Sequence, residues 1–194
     1  MSLVELIAQA DERGLAASGL ACLDRCVPLL GGDDESLRPL WASLAEQDAR
    51  EWAEGLERAR DRLAAEAGPP DGPPDGPEDE AAALARRMLI AAPATPSAAE
   101  VRVWADACSV AALRIHRLLD PLDDAAGSVE DRREGRTGGM SPLVAAELRR
   151  QVTVLELLAG HGAGGLRRAL DVSTEGRRVL RAVVSRRSRS GRPA

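Results

Sequence analysis

The chain has 194 residues, 44% of them apolar and 29% charged, with a formal net charge of −5. That balance belongs to an ordinary globular protein and excludes a collagen-like, wholly disordered or disulfide-stapled molecule. All 26 basic residues are Arg, Asn, Phe and Tyr do not occur, and Ile occurs three times. These gaps share AT-rich codons, so the alphabet points to a GC-rich bacterial genome before it points to any ligand. The missing Phe and Tyr also exclude base-stacking platforms of the usual kind. Charge is uneven: residues 1–80 hold 19 acidic and 7 basic side chains, and residues 81–194 hold 12 and 19.

In chain order, Ser2 with Glu5 reads as a capping box that opens a first helix ending before Gly14. Ala16, Leu20, Leu23, Val27 and Leu30 then form one helical face, with Pro28 as the expected stop. A third helix is expected over about 36–67, with a stripe running from Leu37 to Leu63. At ~1.5 Å per residue it would be a rod of roughly 42 Å. Two copies of Gly-Pro-Pro-Asp and a partial third follow over 68–77, a semi-extended linker.

Beyond the linker, Ala81, Leu84, Ala85 and Met88 predict a short helix. Ser97 with Glu100 caps the next, where Val101, Trp104, Cys108, Ala111, Ile115 and Leu118 keep helical spacing up to Pro121. Residues 127–140 read as a long mobile loop. Ser141-Pro142 opens a helix to about Ala159, and shorter helices are expected near 165–171 and 174–187. The expected fold is all-α, about eight helices in two groups. The expected divisions are an acidic segment 1–67, a linker 68–78, a helical bundle 79–187 and a disordered basic tail 188–194. No run reaches the roughly 18–20 apolar residues of a membrane span.

The candidate chemistry is sparse. Cys22, Cys26 and Cys108 each lie in an apolar stripe and read as core thiols rather than metal ligands. Their odd number, with an acid at Glu5 and no basic start, suggests a reducing cytoplasm. His116 falls on the polar edge of its helix, one turn from Asp120, as a surface pair. Gly160-His-Gly-Ala-Gly-Gly165 matches G-x-G-x-x-G, but no strand precedes it and no acid follows at the required spacing. It reads as a helix–helix connection. A weaker anion site would use Gly162, Gly165, Arg167 and Arg168. No catalytic constellation, metal site or cofactor is expected.

The expected function is a non-catalytic helical protein–protein interaction protein, an adaptor or regulator. Its partner would be another protein or a second copy. Trp41 and Trp52, eleven residues apart on the 36–67 helix, would project from one face as anchors. The alternative is a nucleic-acid-associated protein using Arg177, Arg178, Arg181, Arg186 and Arg187. A second alternative is a helical bundle that binds a small molecule, anion or metal.

Overall fold

The fold is taken from a computed structural model, which describes residues 1–67, 75–95, 97–122 and 127–190. Among these residues the regular structure is helical and no strand occurs. Helix α1, Leu3–Gln9, opens on the Ser2/Glu5 capping box. Helix α2, Glu12–Cys26, is capped by Asp11 and tightens into a 3₁₀ turn, Val27–Leu30, at Pro28. Gly31 ends that turn with φ 76°, a left-handed geometry that suits a residue without Cβ.

The expected 36–67 rod is two helices. Helix α3, Arg38–Glu46, stops at Gln47, which takes φ 58° and ψ 38°. Asp48 then restarts the chain, its Oδ1 accepting from the amides of Arg50 (2.9 Å) and Glu51 (3.1 Å). Helix α4, Ala49–Ala67, folds back against α3. Apolar spacing continues through the break, so periodicity alone does not reveal it.

Helix α5, Pro77–Ile90, and helix α6, Ala98–Leu119, form an antiparallel hairpin. Residues 127–140 are not one loose loop. Ser128 and Asp131 make a capping box for the short helix α7, Val129–Arg133. Arg132 reaches forward to the carbonyls of Arg136 (2.8 Å) and Gly138 (2.6 Å).

Helix α8 runs from Pro142 to Ser190. Its first turn is capped by Asp120, whose Oδ2 accepts from the Leu143 amide at 2.8 Å. A Cβ on Gly165 would overlap the Leu157 carbonyl oxygen. Eight residues of straight helix would separate those positions by ~12 Å. A Cβ on Gly176 would also lie 3.0 Å from Cδ of Arg150, 26 residues earlier. The helical path therefore reverses sharply at the glycine segment, giving an outgoing arm and a return arm. The expected break between 171 and 174 is absent, and Ser173 hydrogen-bonds the Ala169 carbonyl at 3.0 Å.

Helix α2 lies between α6 and α8, buried on every side from Gly14 to Cys26. Its small residues allow this: the Trp104 ring sits where a Cβ on Gly19 would be 2.7 Å from it. One apolar cluster joins Ala17 to Leu180 and includes residues from both sides of the linker. Trp52 and Trp104 meet edge to face within it, with centroids 6.1 Å apart. Of the linker, residues 68–74 lie outside the described residues, as do 191–194 of the tail; 188–190 continue α8.

Candidate functional site

Two features stand out: a charged cluster inside the bundle and an apolar face on its outside. The first begins with Asp24-Arg25, two charges in the last turn of α2 directly after the apolar run Gly19–Leu23. Arg25 is fully buried and donates two hydrogen bonds to Glu147 of α8, Nε to Oε2 at 2.8 Å and Nη2 to Oε1 at 2.6 Å. Gln151 donates to the same carboxylate at 2.9 Å, and Ser109 of α6 donates to Gln151 at 2.7 Å. Arg133 of α7 donates to Ser109 at 3.1 Å and also pairs with Asp106. Four helices are thereby joined through one polar chain. On the other side of α2, Asp24 pairs with Arg177, which also bonds Asp34 at 3.1 Å.

His116 lies in this cluster and not on the surface. Its exposure is 0%, because α8 covers the edge that the sequence makes polar. Nδ1 donates to the Ala112 carbonyl at 2.7 Å, which leaves Nε2 as the bare nitrogen 3.5 Å from Oε2 of Glu147. Burial lowers the His116 pKa from its usual value; the Glu147 charge and the Ala112 hydrogen bond pull it up, while the Arg25 and Arg150 charges add to the lowering. The Glu147 carboxyl is held down at about 2: burial raises it, but the Arg25 charge, the neighbouring His116 and the hydrogen bonds from Arg25 and Gln151 together outweigh that. Asp120, the expected partner of His116, instead caps α8.

Cys22, Cys26 and Cys108 are free and buried, and burial pushes the Cys22 thiol up to about 12. Among the described residues no group of three or more His, Cys, Asp or Glu side chains is placed to hold a metal ion.

The outer feature is a groove of about 350 Å³ between α5 and α6. Trp104 and Cys108 form its floor, Ala107, Val110 and Ala111 one wall, and Arg87 and Arg114 its charged rim. Ile90 and Val103 on the same hairpin are 70% and 72% exposed. A second groove of about 410 Å³, beside Arg13 and Gln47, and a third of about 360 Å³, beside Val179 and Val183, also open to solvent. None of these grooves is lined by Arg25, His116 or Glu147.

The residues singled out in the sequence are dispersed. Trp41 and Trp52 lie on two different helices and are buried, at 5% and 3% exposure. The Trp52 indole donates to the Pro93 carbonyl at 2.8 Å. Arg177 is buried in its ion pairs, Arg181 meets Asp34 at 3.2 Å, and Arg187 meets Glu78 at 3.0 Å. Arg178 is exposed, and Arg186 donates to the Ala182 carbonyl within α8. Gly162 and Gly165 fall in the reversal of α8, while Arg167 and Arg168 point to solvent, Arg168 beside His161 at 3.2 Å. The buried cluster escaped the sequence reading, although Asp24-Arg25 amid Ala, Leu, Cys and Val was its signal: charges in such a stripe need partners.

No protein-family model matches the chain, and neither a curated protein nor a solved structure does. Among the described residues no helix is long and apolar enough to cross a membrane.

Proposed function

We propose that the protein is a non-catalytic helical interaction protein, an adaptor or regulator whose contact surface is the α5–α6 face. The observation that supports this is an apolar groove open to solvent on this hairpin, with Val103, 72% exposed, on the same face of α6 as the groove-lining Ala107 and Val110. Isolated exposed apolar residues are common on soluble proteins, but clustered ones along a groove favour a partner. The tryptophans do not supply the anchor, because both are consumed in the core. The charges of the inner cluster, Asp24, Arg25, Glu147 and Arg177, favour an architectural role: each already has a partner and none lines the three grooves described above.

The nucleic-acid reading has weaker support, since Arg177, Arg181 and Arg187 are matched by acidic side chains of the same chain. The test of the main reading compares wild type with Val103→Asp, both immobilised, for capture of identified proteins or of tagged copies of the chain. Capture that the variant loses at unchanged melting temperature is expected. Capture that Val103→Asp leaves intact would overturn the assignment of this face. Binding to nucleic acid that falls steeply with salt would move the function to the arginines.

A further inference from the structure

The α5–α6 face is charged in a way that fits a second copy of itself, an inference that rests on the interaction reading above. Along α5, Glu80, Leu84, Arg87 and Ala91 are spaced 4, 3 and 4 residues, so they share one face. Along α6, Val103, Ala107, Val110 and Arg114 do the same. Glu80 and Arg87 are exposed and enter no ion pair among the described residues, although their neighbour Glu78 is paired with Arg187. The stripe on α5 thus carries an unmatched anion and an unmatched cation two turns apart, on either side of Leu84.

Helices α5 and α6 run antiparallel, and Trp104 donates to the Met88 carbonyl at 2.9 Å. We infer that two copies pack face to face about a two-fold axis that crosses α5 midway between Glu80 and Arg87. Such an axis lays each helix antiparallel on its own copy. It sets Glu80 against Arg87 of the second copy, and Arg87 against Glu80 of the second copy. On α6 the small side chains of Ala107 and Ala111, which line the same groove, allow close approach. A self-complementary contact of this kind is the defining property of an isologous dimer. An acidic helix from an unrelated protein would satisfy Arg87 but leave Glu80 facing a like charge, so the mixed stripe favours the second copy.

Helix α5 has 14 residues and spans ~21 Å, so the contact falls at the small end of specific interfaces. The dimer therefore dissociates on dilution.

Sedimentation velocity over a micromolar dilution series tests this with the full chain. Wild type is expected to pass from dimer to monomer. Glu80→Arg and Arg87→Glu should each weaken association about tenfold or more, because each sets like charges together at both contacts. The double swap, Glu80→Arg with Arg87→Glu, should restore the dimer, and the two single variants should pair when mixed. All these positions are exposed, and circular dichroism with a melting curve confirms that each variant is folded. A monomer at every concentration, a dimer indifferent to the single swaps, or a double swap that fails to rescue would overturn the inference. A monomeric wild type whose capture of another protein is lost in Val103→Asp would leave the interaction reading standing and remove the second copy as its occupant.

Discussion

At the scale of single residues, His116 decides how the protein responds to acid. Its Nδ1 proton is committed to the Ala112 carbonyl, and Nε2 faces a carboxylate already held by Arg25 and Gln151. The charged groups around it are Arg25 on α2, and Glu147 and Arg150 on α8, and burial holds the ring neutral. In the unfolded chain the ring takes a proton as pH falls through about 6.5. The unfolded state then binds more protons than the folded one, so stability falls with pH. Between pH 7.5 and 5.5 the loss should be about 1 kcal/mol, and His116→Gln should remove that part of the slope. Chemical denaturation at the two pH values measures it; equal slopes in wild type and variant would show that the folded ring takes up its proton as readily as the unfolded one. Glu147 acts in a lower window. Its carboxyl is held at about 2, so its contribution is present above the ordinary carboxyl range and is lost as pH falls toward 2.

At the scale of elements, the sequence is most informative where a local rule has no competitor. The Ser2/Glu5 box, the stop at Pro28 and the extent of α6 follow from caps, proline and spacing, and all appear in the structure. It is least informative where a break preserves the period. Gln47 adopts a left-handed conformation that its side chain does not advertise, so α3 and α4 read as one helix and the two tryptophans as one face. The 127–140 segment was legible in part: Ser128 with Asp131 is a capping pattern, but the burial of Arg132 and Arg133 that fixes it depends on α6 and on carbonyls beyond the helix. The candidate face was legible only as the apolar surplus of Val103 and Val110; which side of α6 stays open depends on where α2 and α8 pack. Gly176 in α8 illustrates the same dependence. Gly to Ala in a helix ordinarily stabilises by about 0.5–1 kcal/mol. Here the new methyl would overlap Cδ of Arg25 and lie 2.9 Å from its Cγ. Gly176→Ala should therefore cost about 2 kcal/mol, whereas Gly160→Ala, with no neighbour within 4 Å, should be neutral or slightly stabilising. Thermal unfolding of the two variants gives the comparison; similar midpoints would mean that Arg25 does not pass beneath α8.

At the scale of the whole molecule, the Gly/Pro-rich stretch at 68–77 divides the sequence but not the core. Helix α2 precedes that stretch, yet its neighbours α6 and α8 follow it, and Arg25–Glu147 and Asp24–Arg177 join the two sides at buried positions. A lone buried ion would be far costlier than an exposed one, so each side leaves the other with uncompensated charge if they part. The edge-to-face pair of Trp52 and Trp104 spans the same divide. With no Tyr or Phe in the chain, the three tryptophans supply all of its aromatic near-ultraviolet signal. Two of them are coupled only while α4 rests on α6. The molecule therefore carries an intrinsic optical gauge of that closure: near-ultraviolet circular dichroism should collapse when α4 lifts, even while the far-ultraviolet helical signal persists, and Trp52→Leu should remove the coupled band with little change in helix content.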